Sequence, residues 1–371
     1  MTTIGLTLEP LDVLFFRDGR PFGAATSGAS VLPLPQTLAG ALGTALLDAH
    51  GCDFTRLPSE LRDNGGDVGA AIASAGGPSW IGALRVRGPW LARPQATGGL
   101  EVLVPAPAVL HADKTPQGTE RKLHALRPLP SQRLPGWRPP ASAPGLWPLW
   151  LQHPQPTQPA TGYLTPAGLQ AFLTARPVPA EQLVLPERLF DFDRRTGIGI
   201  DPDRLAAEES RIYGATFLAL QPKVSLYAEV TLPREADRAA FAGIATLTFG
   251  GEGRRVRVQT LDRPFSWPEQ APVGRGQKPL LLLTTPGLFR EAWKPAAVDG
   301  RLVAAAVPGS VAVSGWDLAR GGPKPNRFAA QAGSVYFLPE SLHPWPETLS
   351  DSERDAQQGW GCYLKGVWID D

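Results

Sequence analysis

From Thr3 to Leu8 the chain alternates Ile4, Leu6 and Leu8 with small or polar positions, the period-2 pattern of a strand with one buried face. Asp12 to Phe22 then reads Asp-Val-Leu-Phe-Phe-Arg-Asp-Gly-Arg-Pro-Phe, so the strand gives way to a charged turn containing glycine. From Gln36 to Asp48 the period changes. Leu38, Leu42, Ala45 and Leu46 fall at i, i+4, i+7 and i+8, which predicts an amphipathic helix with Pro35 in its first turn. Two β-like runs follow, Trp80 to Ala92 and Leu100 to Val104, and Gly98-Gly99 between the two predicts a hairpin. Strand, helix, strand, strand is half of a ferredoxin-like fold, and a short helix over Thr165 to Thr174 would complete a first domain.

Between these elements lies Pro105 to Pro159, where prolines recur every few residues among Trp137, Trp147, Trp150 and the basic Lys114, Arg121, Lys122, Arg127, Arg133 and Arg138. Proline at that density predicts no regular structure. The segment is either an arm that drapes over a partner or nucleic acid, with aromatics between cations, or an extended arm packed on its own domain. Pro177 to Glu208 shifts to charged turn chemistry, Phe-Asp-Phe-Asp-Arg-Arg-Thr-Gly-Ile-Gly-Ile-Asp from Phe190 to Asp201. The domain junction is placed there, giving domains 1–176, with an insertion at 105–160, and 177–371. Strands are predicted over Arg211 to Leu220 and Lys223 to Leu232, and a charged helix over Arg234 to Gly243. Further short strands are predicted at Pro279 to Thr284, Leu302 to Val307, Val311 to Trp316, Gly333 to Leu338 and Trp360 to Ile369. Between the helix and these last strands, Ala245 to Phe249 runs into Gly250-Gly251-Glu252-Gly253-Arg254-Arg255 and a strand carrying Arg255 and Arg257 on one face.

Composition narrows the classes. At 371 residues and 43% hydrophobic content the chain can bury two cores, while 40 Gly and 40 Pro leave room for few long helices. No apolar run is long enough to span a bilayer and no signal-peptide pattern opens the chain, so a cytoplasmic protein without membrane contact is expected. The two cysteines, Cys52 and Cys362, have no Cys or His at metal-ligand spacing, so neither a metal nor another cofactor is expected. A net charge of +1 excludes a globally basic surface, and any polyanion must be held by local patches.

Those patches are the Gly-plus-Arg turns. Arg17 and Arg20 flank Gly19 and offer planar donor forks matched to phosphate oxygens, although a solvated turn with an internal Arg to Asp pair has the same sequence. Backbone amides at Gly250 and Gly251 can approach phosphates closely with Arg254 and Arg255 adding charge, although a tight hairpin needs the same glycines. Gly321-Gly322-Pro323-Lys324-Pro325-Asn326-Arg327 is a third such turn. No Lys-Ser/Thr follows the glycines as a P-loop requires and no GxGxxG opens a helix, which argues against nucleotide binding. Asp191 and Asp193 stand beside Arg194 and Arg195, which neutralise them more readily than a metal would.

Taken together, FFRDGRPF, RTGIGID, FGGEGRRVRV, VSGWDL with GGPKP, AGSVYFL and the terminal GWGCYLKGVW resemble, in order and over nearly the whole chain, the third subunit of the type III-B CRISPR effector called the Cmr complex, a family of the RAMP superfamily. The resemblance implies an α+β fold with two ferredoxin-like (RRM-like) domains, the long Pro-rich insertion and additional β-hairpins. It implies a non-catalytic RNA-binding subunit that grips the 5′ repeat-derived tag of CRISPR RNA. Its partners would be the large polymerase-type subunit and an adjacent backbone RAMP subunit, in antiviral defence. The candidate RNA contacts are Arg17, Arg20, Arg194, Arg195, Ile198, Gly250, Gly251, Arg254, Arg255, Lys324 and Arg327, with Arg194 to Asp201 as a thumb-like loop whose Ile198 or Ile200 wedges against a base. The competing class is a metal-independent CRISPR RNA-processing endoribonuclease, in which a histidine acts as general acid or base. His50 is its candidate, at a helix end that favours histidine for dipole reasons alone.

Overall fold

The computed structural model describes residues 2–17, 31–95, 98–114, 122–141, 143–201, 206–233, 239–270, 272–317 and 321–370, apart from the side chains of 197–201, 206–213 and 242. The fold is mixed α/β and sheet-rich, and Pro35–Ala49 is the longest helix among the described residues. Two compact units form, one from Met1–Pro89, Leu189–Pro264 and Ala312–Phe328, the other from Trp90–Arg188, Phe265–Val311 and Ala329–Asp371. The contiguous division into 1–176 and 177–371 does not coincide with these units. Antiparallel pairing joins strands far apart in sequence, and a composition shift says nothing about which distant strand a given strand will pair with.

In the first unit the strand Thr2–Pro10 lies between Ser225–Leu232 and Arg255–Leu261, with Thr246–Thr248 beyond the latter. Antiparallel register sets Ile4 opposite Val230, Leu6 opposite Ala228 and Leu8 opposite both Leu226 and Val258. All seven are buried, so the period-2 alternation becomes one continuous apolar face. The helix Pro35–Ala49 buries Leu38, Leu42 and Leu46 on one stripe, with Pro35 in its first turn as the sequence predicts. Of the predicted helix over Arg234 to Gly243, Ala239–Ala242 is helical and residues 234–238 lie outside the described residues.

The charged segment from Phe190 is not a turn. Phe190–Asp201 is a strand paired with Ala206–Leu220 in a two-stranded antiparallel ribbon, with a bulge between Ile198 and Ile200. This corrects the expectation of a loop over Arg194 to Asp201. Alternating Phe190, Phe192, Arg194 and Asp191, Asp193, Arg195 put unlike residues on opposite faces of a strand, and charge at those positions is compatible with a ribbon that water reaches.

In the second unit Gln277–Leu283 is central to a four-stranded antiparallel sheet with Tyr363–Ile369 on one side and Val335–Phe337, then Ala304–Ala306, on the other. Leu280 and Leu282 face a core with Val104, Phe172, Leu173 and Trp368, while Leu281 and Leu283 face another with Phe289, Tyr336 and Leu338. A strand buried on both faces reads as the unbroken apolar run seen in its sequence. Leu91 pairs with Leu103 in the predicted hairpin, where Gly98 and Gly99 both have φ +89°.

The Pro-rich segment is more regular than expected. Leu110–Asp113 pairs with Leu123–Ala125 and Thr157–Pro159, and Arg127–Pro128 pairs with Leu149–Trp150. Strands of two to four residues lie between prolines or end on one, as Arg127–Pro128 and Thr157–Pro159 do. Trp147 and Leu149 pack against the core of the same unit, and Trp147 N–H donates to the Val303 carbonyl at 2.7 Å. The middle part of the arm thus packs within this unit, on residues such as Val303 that lie outside the 1–176 division.

Candidate nucleic-acid interface

The opening strand ends in a segment pinned from two sides. Leu14 exchanges backbone hydrogen bonds with Leu218 at the base of the ribbon, at 2.8 and 2.7 Å, and Gly251 N–H donates to the Phe15 carbonyl at 2.8 Å. Gly250 has φ +89°, and a Cβ there would stand 2.5 Å from the Phe15 carbonyl oxygen and 2.8 Å from Phe16 Cε1. Only glycine allows that approach. Glu252 and Gly253 continue the left-handed turn at φ 55° and 63°, and Phe249 N–H closes it on the Arg254 carbonyl at 2.7 Å.

This packing assembles an aromatic platform with cations on it. The Phe15 and Phe217 rings are 5.3 Å apart, and Phe16 meets Phe249 edge-on at 5.1 Å. The guanidiniums of Arg195 and Arg254 each lie 4.8 Å from the Phe217 ring centroid, within cation–π range. Arg254 is also paired with Asp12 at 2.6 Å, and Arg195 with Asp193 at 2.7 Å. The hydrogen bond from Arg195 to Asp193 raises the Arg195 pKa, with the charges of Asp193, Asp12 and Glu252 acting in the same direction. Arg254 Nε is buried without a hydrogen-bond partner among the described residues. A carboxylate and an aromatic face thus hold each cation, leaving donors of the guanidinium fork for a further acceptor.

Of the other candidates, Arg194 lies on the opposite face of the ribbon from Arg195, in the register position facing Thr216, and is exposed. Arg17 is exposed. Arg255 donates to Thr246 Oγ1 at 2.5 Å, and Arg257 pairs with Glu9 at 2.8 Å, while the alternating Val256 and Val258 are buried. Ile198 pairs through its backbone with Ile212, and its side chain, like that of Ile200, lies outside the described residues, as does all of Arg20.

Lys324 and Arg327 belong to another element of this unit. Trp316–Asp317 pairs with Gly322–Pro323, and Lys324 N–H donates to the Gly315 carbonyl at 2.7 Å. Gln36 in the first turn of the helix donates to the Ser314 carbonyl. Two large aromatics flank these cations in the open, Trp316 at 63% and Phe328 at 57% exposure. Sequence reasoning passed over both; an aromatic inside a Gly/Pro turn with cations was the available signal. His50 caps the helix, its Nδ1 2.8 Å from the Leu46 carbonyl oxygen and its ring edge-on to Trp80. Its contacts are those of a helix end.

The family model described as "CRISPR-associated protein (Cas_Cmr3)" matches residues 6–368. A chain of the cryo-EM structure of the type III-B Cmr-beta bound to cognate target RNA is similar in fold, with a TM-score of 0.50 at 17% identity over 90% of this chain and 86% of that one. A chain of the Csm3-Csm4 subcomplex of the type III-A CRISPR-Cas interference complex aligns with a TM-score of 0.42 at 10% identity, over 90% of this chain and 92% of that one. No curated protein matches the chain. Among the described residues no helix is long and apolar enough to cross a membrane.

Proposed function

Because the chain belongs to the Cmr3 family of CRISPR-associated proteins, we propose that it is a non-catalytic subunit of a type III-B effector complex that binds the 5′ repeat-derived tag of CRISPR RNA. Its partners in this reading are the large polymerase-type subunit, beside which it caps the complex, and an adjacent backbone RAMP subunit, with the two units acting as ferredoxin-like domains. The observation that carries the reading is the platform of Arg195 and Arg254 on Phe217, held by the close approach of Gly250 to Phe15. Stacked guanidiniums suit a phosphodiester chain with unstacked bases, whereas the Gly251 amide is spent on the Phe15 carbonyl. They supply neither a nucleophile nor a paired acid and base.

The test is binding by the full chain, alone and within its assembled complex, of RNA carrying the repeat-derived 5′ tag against the same RNA with an unrelated 5′ end. Tighter binding of the tagged RNA supports the reading, and equal affinity removes the tag from it. Multiple-turnover cleavage of repeat RNA in the absence of metal would favour the processing endoribonuclease instead.

A further inference from the structure

The short strands of the Pro-rich segment bring together three side chains that the RNA-binding reading does not use. Asp113 ends the strand Leu110–Asp113, His124 is in the middle of Leu123–Ala125, and His153 precedes Thr157–Pro159. His124 Nε2 stands 2.7 Å and His153 Nε2 3.7 Å from the same oxygen, Asp113 Oδ1. The two imidazole rings are 4.2 Å apart, and one ligand-type atom from each residue falls within 4.8 Å of the other two. We propose that Asp113, His124 and His153 form a binding site for one Zn2+ ion.

Three features separate this cluster from a simple His–Asp hydrogen bond. Such a bond accounts for His124 but leaves His153 Nε2 aimed at the carboxylate from beyond hydrogen-bond range. His153 Nδ1 lies 3.0 Å from the Gln155 carbonyl oxygen; an Nδ1–H donated there fixes the tautomer whose Nε2 carries the lone pair, the outer contact that metal-bound histidines make. The Gln155 N–H, 3.2 Å from the same nitrogen, would select the opposite tautomer, so metal occupancy also decides between these contacts. Finally, both imidazoles converge on one and the same oxygen, Oδ1 of the buried Asp113.

The geometry fits a tetrahedral ion. Ligands at Zn–N and Zn–O bonds of about 2.0 Å are separated by about 3.3 Å, so the 2.7 and 3.7 Å separations to Asp113 require shifts of roughly half an ångström, and the two imidazole nitrogens, which lie within 4.8 Å of each other, draw together on binding. Two imidazoles and one carboxylate select a borderline ion over Mg2+ or Ca2+, which prefer all-oxygen shells. With three protein ligands, the fourth position is left to water or to a partner's side chain. His111, the cross-strand neighbour of His124, is engaged elsewhere, its Nδ1 3.1 Å from Thr157 Oγ1. The ion would tie together three strands of three or four residues, too small a sheet to be held by a core of its own.

The test is metal content of the full chain after loading with Zn2+ and desalting, together with the visible spectrum after Co2+ substitution. The expected result is about one equivalent of Zn2+ per chain, a tetrahedral Co2+ spectrum, and loss of both in His124→Ala and His153→Ala. His153→Gln, with circular dichroism unchanged from wild type, guards against loss through misfolding. Wild-type chain that retains no more Zn2+ than the His124→Ala/His153→Ala double variant overturns the proposal, as does an octahedral Co2+ spectrum indifferent to the substitutions.

Discussion

Gly250 passes so near Phe15 that a Cβ on it would stand 2.5 Å from the Phe15 carbonyl oxygen. That oxygen is backbone, already accepting from Gly251 N–H at 2.8 Å, so it has little room to move. Gly250→Ala therefore adds a steric clash to the left-handed strain of about 1–2 kcal/mol. Gly253, at φ +63°, has open space where a Cβ would stand and should bear the strain alone. In denaturant unfolding Gly250→Ala is expected to lose clearly more stability than Gly253→Ala. Equal losses would mean that the turn relaxes away from Phe15.

Arg254 reaches RNA in our reading while paired with Asp12, whose side chain is 61% exposed. Replacing Arg254 and Arg255 by Ala should weaken binding and flatten its salt dependence by about 0.7 log units per lost phosphate contact on a single strand. Asp12→Asn should do the opposite, freeing the guanidinium and tightening binding by about two- to fivefold, the range of an exposed ion pair. Fluorescence anisotropy over a salt series reads both, and an unchanged slope in the double variant takes these arginines off the RNA path.

Trp147 and Trp150 stand three residues apart with opposite surroundings. Trp147 packs on the second unit's core, whereas Trp150 is 48% exposed. Trp147→Ala should cost about 2–3 kcal/mol, at or just below the roughly 3–5 kcal/mol of a fully buried large aromatic because it is only partly buried. Trp150→Ala should leave the melting temperature nearly unchanged. Deleting Gly136 to Gln158 removes Trp147 and His153 together and is expected to destabilise the second unit. A deleted chain that melts like wild type would show that the arm contributes no packing.

Trp316 and Phe328 are open to solvent and stand near Lys324 and Arg327 in the sequence, an aromatic-plus-cation composition suited to base stacking. Trp316→Ala should lower RNA affinity by about 1–3 kcal/mol, the worth of one base stacked on an aromatic, without altering thermal stability. If RNA affinity holds but co-purification with the large subunit falls, the surface serves protein contact instead.

Local periodicity by itself determined a good part of this fold. The alternation of Ile4, Leu6 and Leu8, the stripe of Leu38, Leu42 and Leu46, the turn at Gly98-Gly99 and the alternation of Arg255 and Arg257 with Val256 and Val258 all took the form they predict, because side-chain period follows from backbone geometry within a few residues. The ordered motifs likewise carried the family. What lay beyond reach were partners. That Arg254 rests on Phe217 and pairs with Asp12, that Trp147 packs inward while Trp150 does not, and that Asp113, His124 and His153 converge follow from pairings between distant strands. Spacing along the chain carries no signal for such pairings, and proline runs and charged stretches mask the short strands that make them. Charge in Phe190–Asp201 read as a turn for the same reason: a two-stranded ribbon can leave its residues to water, so the apolar alternation that betrays a strand is missing, and only the cross-strand register decided it.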